Sequence, residues 1–496
     1  MRLLAIRVPE CRIGLRQPVS CRAIGGREIG ENQRRPLWHT GCSISLTVVR
    51  GFIPGEGIPM IRSLVRGFAA AIVLGAFALG PGGRAFAQVK PGDFITWQNA
   101  SKVKELVSPG VYQRIEHGMS MKIEKTERIE WPPPYQEATE KYSSQVRLSP
   151  DHRSLIGYVA GEPFPIIDAN DPYAADKVIW NEVFRPISTD DYDLRFFDCD
   201  TVYWGRNKSF FEIYDTEIGH YAGYNEVGRT EVEPMPIDPD FTRTNRYYLA
   251  LLYPVLSPAT DRGTGILKFR FANPNRDDDV WTWTPGARRL RRLNYDMMDT
   301  ASGAQAYDPN HYEAWSGKPE DYDFRFLGEK TMLAAVDVHH GRDPRCPTDG
   351  GASHCPDAWQ LRHMYVIEAR PRAGREASPL YSREIIYIDS EADFPMYVDM
   401  YDHAGRLFKN YTSWMNYADR AERGSRIAIY PFKREFQVGS STTDLQGGLS
   451  SVCYHPALNA PTRDSWFINM GAVDRNWFTP EAMAAAAEGG HAVGGD

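Results

Sequence analysis

The sequence lacks the excess of basic residues that nucleic-acid-binding proteins carry. It has 57 Lys and Arg against 64 Asp and Glu, which gives a formal net charge of −7. Proteins that bind phosphate backbones usually contain a strongly basic domain. The charge balance therefore argues against nucleic acid as a partner, although one short stretch, ARRLRRL at 287–293, is rich in arginine.

Catalytic motifs with a recognisable spacing are also missing. The sequence has no GxSxG, HExxH, GxxxxGK[ST] or EF-hand pattern. Acidic clusters do occur, at 190–193, 198–200, 238–240 and 277–279, and a pair of such carboxylates could hydrolyse a glycoside. Acidic loops between strands are usually solvated turns, so the sequence predicts no catalytic residue, no cofactor and no bound metal.

No apolar run is long enough to cross a bilayer comfortably. The longest run, 67–80, follows a basic start after Met60, and Ala85 and Ala87 are the small residues that come after it. This is the order of a secretory signal peptide. The sequence therefore predicts a signal peptide at 60–87 that is cleaved after Ala87.

A signal peptide belongs at an N-terminus, and this one is preceded by residues 1–59. That segment shows no sustained helix or strand period. We predict that it is a non-native or disordered extension and that the exported chain begins at Gln88.

Cysteine is scarce in the exported chain, which keeps four. In an exported protein an even, sparse set favours disulfides. Cys346 and Cys355 close the short Gly-rich loop CPTDGGASHC, so we predict that they are bridged. A metal site is the alternative, although the nearby histidines match no common zinc spacing; they are His339, His340, His354 and His363. Whether Cys199 and Cys453 pair stays open.

Strand patterns outnumber helix patterns after the signal peptide. Helical composition occurs at 97–106, 134–146 and 171–183, and Thr479 caps a short helix near the end. The two-residue period of strands occurs at 267–272, 364–372, 382–389, 395–402 and 406–414. Because short turns join successive strands, the pattern predicts an antiparallel meander and a mainly β (α+β) fold.

The arginine-rich stretch reads as a hairpin with the same period. Trp281 and Trp283 fall on one face, and after the Pro285-Gly286 turn the arginines divide between both faces. They form no single basic stripe, so we predict a structural role at the rim of the sheet, with the carboxylates at 277–279 as partners. These rim arginines are Arg288, Arg289, Arg291 and Arg292.

Several segments resemble one family, and together they cover most of 129–414. They are DDDVWTWTPGARRLRRL, AYDPNHYEAWSG, DYDFRFLGEKTMLAA, SREIIYIDSEADFPMYVDMYDHAGRLFKNY, EWPPPYQEATEKYS, YVAGEPFP and KVIWN. They resemble the exported bacterial family catalogued as domain of unknown function 1329, which is similar to the outer-membrane lipoprotein-sorting (LolA/LolB-like) proteins. The resemblance implies a half-open antiparallel β-barrel wrapped around a few helices at 88–480, with a helical N-terminal part. The small-residue composition of 481–496 predicts a short helix followed by a disordered tail.

The resemblance also implies a function. It implies a periplasmic carrier or binding protein of a Gram-negative bacterium, for a lipid or another lipid-like hydrophobic ligand. Its partners would be an inner-membrane exporter of the resistance-nodulation-division type and an outer-membrane protein. The family implies no catalytic residues; a periplasmic hydrolase acting on envelope polysaccharide is the alternative.

An apolar sheet face has to be covered by helices or by ligand, because large exposed apolar patches are rare on soluble monomers. We expect a hydrophobic groove on this sheet to be lined by large apolar side chains at alternate strand positions. The candidates are Phe269, Phe271, Trp281, Trp283, Met396, Val398 and Met400.

Overall fold

The computed structural model describes residues 89–494, apart from 211, 253–254, 294–305, 309, 339–349, 354–356, 375–379, 423 and 456–465. Ala87, Cys346 and Cys355 lie outside the described residues, so the cleavage site and the disulfide predicted there stay predictions. Within the described residues, no helix has the length and the apolar character that crossing a bilayer would require.

Strands make up most of the regular structure, which confirms the mainly β prediction. The strands are β1 (Phe94–Ile95), β2 (Met121–Ile123), β3 (Arg147–Leu148), β4 (Leu155–Ile156), β5 (Asp191–Tyr203), β6 (Glu212–Asn225), β7 (Arg246–Leu252), β8 (Gly265–Phe271), β9 (Asp279–Thr284), β10 (Arg289–Arg292), β11 (Tyr322–Ala335), β12 (Asp357–Pro371), β13 (Arg383–Asp389), β14 (Phe394–Tyr401), β15 (Leu407–Ala418), β16 (Arg434–Asp444), β17 (Leu449–Tyr454) and β18 (Trp466–Ile468).

Helices are short and lie mainly near the two ends of the described chain. The α-helices are α1 (Pro109–Glu116), α2 (Pro133–Tyr142), α3 (Ala174–Val183), α4 (Phe241–Thr244) and α5 (Pro480–Gly489), and 3₁₀ turns occupy Ala100–Leu106, Ser143–Gln145, Pro319–Asp321 and Arg475–Trp477. The helical segments predicted from the sequence are thereby confirmed, the first of them as a 3₁₀ helix. The sequence pattern did not indicate α1 or α4.

One large antiparallel sheet holds nearly all the strands and is not closed into a barrel, as expected for a half-open barrel. Its main path is β11-β12-β13-β14-β15-β16-β17-β5-β6-β7-β8-β9-β10, and β1 and β2 join it where β2 pairs in parallel with the start of β12. The main path therefore consists of two meanders, β11 to β17 and β5 to β10, each following chain order. We call the β17–β5 pairing, where the meanders meet, the junction; β18 also pairs with β5 there.

The two faces of this sheet carry different cores. Directly opposed residues on neighbouring strands share a face, and the pairs Tyr411–Thr442 and Cys453–Cys199 lie on what we call the pocket face. On the reverse side, α5 packs over β8, β9 and β10, and we call this the α5 face. Its core contains Leu249, Phe269 and Met483.

Helix α5 has defined ends. The Thr479 hydroxyl accepts a hydrogen bond from the Ala482 N–H at 3.0 Å, and Gly490 ends the helix with a φ of 69°. Beyond the helix, in the segment for which the sequence predicts a disordered tail, Val493 packs into the core of the α5 face.

Helix α1 is fixed to the sheet by one buried carboxylate. Asp399 on β14 accepts hydrogen bonds from the Ser108 hydroxyl at 3.0 Å and from the Gly110 N–H at 3.1 Å. A Cβ atom at position 110 would lie 2.3 Å from Asp399 Oδ1, so only glycine allows this approach. Burial raises the pKa of Asp399 to about 6, while these hydrogen bonds oppose the rise.

Candidate functional site

A cavity lies on the pocket face across the junction of the two meanders. It contains about 570 Å³ of empty space, a figure that includes its open mouth. Most of its wall is aromatic or apolar. The lining residues are Leu194, Phe197, Cys199, Tyr221, Tyr307, His311, Tyr312, Glu313, Tyr411, Gln437, Ser440, Thr442, Ser451, Cys453, His455 and Trp466.

A bulge in β5 places two apolar side chains in this wall. Leu194 and Phe197 are three positions apart and would point to opposite faces of a regular strand. The pairing with β6 shifts between them, and Phe196 has a φ of 54°. A bulge of this kind re-aims the residues that follow it, so both side chains reach the cavity.

Two glycines on β6 make room for aromatic rings on the pocket face. A Cβ atom at Gly219 would lie 3.1 Å from the Phe197 ring, and one at Gly223 would lie 2.3 Å from the Tyr192 ring. The rings therefore lie flat across β6 on either side of Tyr221. Any larger residue at Gly223 would displace Tyr192.

Residues 306–308 and 310–317, which we call the crossing segment, form the wall opposite the sheet. At one end the Ala306 N–H donates to Ser451 Oγ at 2.7 Å, and Lys409 Nζ donates to the Ala306 carbonyl at 2.7 Å. At the other end Arg270 donates to the Gly317 carbonyl at 3.0 Å. Both meanders therefore hold this segment over the cavity.

The centre of the crossing segment is held by a buried charged group. His311 is fully buried, and its two ring nitrogens lie 2.7 Å from Asp308 Oδ1 and 2.7 Å from Glu384 Oε2. Tyr381 donates to the other oxygen of Asp308 at 2.8 Å. Burial disfavours the imidazolium, but the two carboxylates outweigh it and raise the pKa of His311 to about 10. His311 is therefore charged at neutral pH and ties the segment to β13.

This raised pKa predicts a pH dependence of stability. Because the pKa rises from 6.5 to about 10 on folding, the stabilisation is complete below about pH 6.5 and is lost as the pH rises through 10. We expect the difference in free energy of unfolding between the wild type and His311→Asn to shrink over that range. Urea denaturation of both proteins from pH 6 to pH 10 measures it, and a difference that does not change with pH would contradict the assignment.

A disulfide and a neutral histidine form the wall at the junction. A disulfide joins Cys199 on β5 to Cys453 on β17, and their Cα atoms are 4.0 Å apart. The sequence had left open whether these two cysteines pair. Burial lowers the pKa of His455 to about 4, and its Nδ1–H donates to the Gln437 carbonyl at 2.8 Å. This end of the cavity is therefore uncharged at neutral pH.

The structure does not bring the seven predicted groove residues together. Phe269, Phe271 and Trp283 are buried in the core of the α5 face, and Trp281 packs against them. The other three are buried in the main core, on the same face as the cavity: Met396, Val398 and Met400. The described lining of the cavity contains none of the seven. The four on β8 and β9 face α5, and the three on β14 are enclosed in the main core.

The arginine-rich hairpin forms as predicted, with Trp283 opposite Leu290 and Trp281 opposite Arg292. Arg292 forms an ion pair with Asp279, which is one of the acidic partners expected from the sequence. The remaining rim arginines, Arg288, Arg289 and Arg291, are exposed at or near the turn.

Two of the acidic clusters have local structural roles. Asp190 accepts hydrogen bonds from the backbone N–H groups of 230, 231 and 232, at 2.7, 2.7 and 2.5 Å. Asp278 lies 2.9 Å from Arg270 Nε.

Of the four histidines named as a possible metal site, the structure describes His363. It lies 3.0 Å from Glu329.

The fold and the cavity together define a class of protein: one with an antiparallel β-sheet that is not closed into a barrel and that has a mostly apolar cavity on one face. Residues 94–484 match a family model described as protein of unknown function (DUF1329). The chain belongs to this family, which confirms the resemblance seen in the sequence. A search of curated proteins found no match to this chain.

Solved structures that match this chain include the following three. A domain from Vibrio parahaemolyticus named for outer membrane lipoprotein sorting is 16% identical, with a TM-score of 0.38, and the match covers 60% of this chain and 92% of that one. A DUF1329 family protein from Desulfovibrio piger is 15% identical, with a TM-score of 0.37 and the same coverage. A LolA superfamily protein from Nitrosomonas europaea is 13% identical, with a TM-score of 0.32 over 59% of this chain and 91% of that one.

Proposed function

We propose that this protein is a periplasmic carrier that binds a lipid-like apolar ligand in the cavity at the junction. The observation that carries the proposal is the wall of that cavity, in which aromatic rings and a disulfide surround a space closed by a tethered segment. Burying one methylene group contributes about 0.8 kcal/mol. An acyl chain could therefore be held there with few polar contacts.

The proposal extends to the setting of the protein. The predicted signal peptide would deliver it to the periplasm, where an inner-membrane exporter and an outer-membrane protein would be its partners. Native mass spectrometry of the protein purified without detergent tests the central point. A carrier is expected to retain a lipid of defined mass, which organic extraction should release. If repeated purifications give a protein without lipid, and this protein binds no added lipid, the proposal is refuted.

A substitution that fills the cavity should block binding. Thr442 lines the cavity from β16 and is 2% exposed. We expect Thr442→Phe to weaken binding of the neutral fluorophore N-phenylnaphthylamine by about tenfold, or about 1.4 kcal/mol, because the new ring occupies the ligand's space. Fluorescence titration measures the affinity.

The matched control is Thr260→Phe, the same change at an exposed turn residue, which should bind like the wild type. Thr442→Leu adds less volume than Thr442→Phe, so it is less disruptive to folding and should have an intermediate effect on binding. Unchanged affinity in a folded Thr442→Phe protein would show that the fluorophore binds elsewhere.

A further inference from the structure

A second cavity of about 490 Å³ lies beside the first on the pocket face, and its wall is polar. Glu313 lines both cavities. A smaller space bridges them, since it shares Tyr221 with the first and Tyr248 with the second. The three spaces are therefore neighbours on the pocket face, with the apolar one at the junction and the polar one near α3.

A hydrogen-bonded group of tyrosine hydroxyls lies between the two cavities. The hydroxyl oxygens of Tyr192 and Tyr248 lie 2.9 Å apart, and those of Tyr221 and Tyr248 lie 3.1 Å apart. Tyr192 also donates to Glu313. Burial raises the pKa of Tyr248, so this hydroxyl stays neutral and can both donate and accept.

The charges of the second cavity are already paired. Arg185 lies 2.8 Å from Glu182 and forms a second ion pair with Glu313. Arg270 lies 2.9 Å from Asp278 and also donates to two backbone carbonyls. A ligand with a net charge would be buried here beside ion pairs that are already complete, and burying an unpaired charge is costly.

Neutral hydrogen-bonding groups supply the rest of the polar wall. Ser188, Asn225 and Ser316 line it, and the Asn225 amide donates to the Ser188 carbonyl at 3.2 Å. Arg185 Nε is a buried donor to which the structure assigns no acceptor. These groups suit oxygen atoms of hydroxyl or ester groups, which can accept and donate without carrying charge.

We propose that the second cavity is a headgroup subsite, so that the ligand is a single-chain amphiphile with an uncharged, oxygen-rich head of the monoacylglycerol type. The acyl chain lies in the apolar cavity, and the head lies between α3 and the tyrosine hydroxyls. This assignment rests on the proposed carrier function and adds the class of ligand to it.

Competition among three amphiphiles that share one acyl chain tests the subsite. Monooleoylglycerol, oleate and oleoyl lysophosphatidate would each displace N-phenylnaphthylamine from the full-length exported protein. We expect monooleoylglycerol to bind at least about tenfold more tightly than either anionic amphiphile. Equal or tighter binding of oleate or lysophosphatidate would overturn the headgroup assignment alone, whereas failure of all three to bind would overturn the carrier function as well.

Two variants test whether the second cavity is responsible for the preference for monooleoylglycerol. Ser188→Ala with Tyr248→Phe removes two hydroxyls from the second cavity, and we expect monooleoylglycerol to lose its advantage over oleate while the affinity for N-phenylnaphthylamine is unchanged. Tyr307→Phe removes a hydroxyl from the apolar cavity and should keep the preference. If the double variant keeps the preference, or loses affinity for every probe equally, the head does not lie in the second cavity.

Discussion

Replacing His311 with alanine is expected to lower the free energy of unfolding by about 3–5 kcal/mol, because the change leaves two buried carboxylates without their shared cation. Asp308 and Glu384 are both fully buried, and water cannot replace the imidazolium between them. Urea denaturation near pH 7 measures the loss. We also expect weaker binding of N-phenylnaphthylamine, since His311 holds the crossing segment over the cavity.

The matched control for this prediction is His363→Ala. His363 also contacts a carboxylate, Glu329, but its side chain is 48% exposed, so its loss should cost less than about 1 kcal/mol. A variant that combines His311→Gln with Asp308→Asn and Glu384→Gln should regain part of the stability, because it removes the stranded charges as well. The charge interpretation fails if His311→Ala costs no more than His363→Ala.

Removing the disulfide is the second change with a large expected effect. Cys199→Ala together with Cys453→Ala should lower the free energy of unfolding by about 2–5 kcal/mol, because the bond restricts the unfolded chain over a sequence separation of 254 residues. The two sulfur atoms also form part of the cavity wall. We therefore expect weaker binding of an apolar probe in the double variant, measured under conditions where it is still folded.

Adding reductant distinguishes the contribution of this disulfide to stability from that of the disulfide predicted at Cys346 and Cys355. Added to the wild type, it should produce at least the loss seen in the double variant, and a larger loss if Cys346 and Cys355 are also bridged. Added to the double variant, it reports on that second bridge alone. A double variant as stable as the oxidised wild type would contradict the assigned role of the junction disulfide.

The fold was accessible from the sequence because its signals are local. The alternation at 382–389, 395–402 and 406–414 predicts strands that the structure has as β13, β14 and β15, and Gly405, with a φ of 74°, supplies the turn before β15. The sheet is a pair of meanders in chain order, so neighbours in sequence are neighbours in space. Helix α1 was missed because it is only eight residues long and is fixed by a contact with Asp399, nearly 300 positions away.

The candidate site was much harder to predict, for a physical reason. Alternation shows that Phe269 and Trp283 share a face, but it does not show whether helix or cavity covers that face. Here α5 covers it. The cavity instead depends on a bulge next to Phe197, on glycines in β6 and on a segment without regular structure, and none of these has a periodic signature.

One signal in the sequence could have indicated the site. The segment AYDPNHYEAWSG at 306–317 combines aromatic and charged residues outside any strand pattern. Its Asp308 and His311 are three positions apart, close enough for one to contact the other. Such a cluster in a long connection between strands is more informative about function than the strands themselves.

The position of the cavity across β17 and β5 has a consequence for how the molecule assembles. Each meander can form from contacts between residues close in the chain, whereas the pairing of Cys453 with Cys199 brings together residues from opposite ends of the sheet-forming sequence. Closing such a long loop is entropically unfavourable and tends to come late in folding. We infer that the cavity at the junction is the last part of the sheet to form, so that a chain with both meanders complete would still lack this cavity.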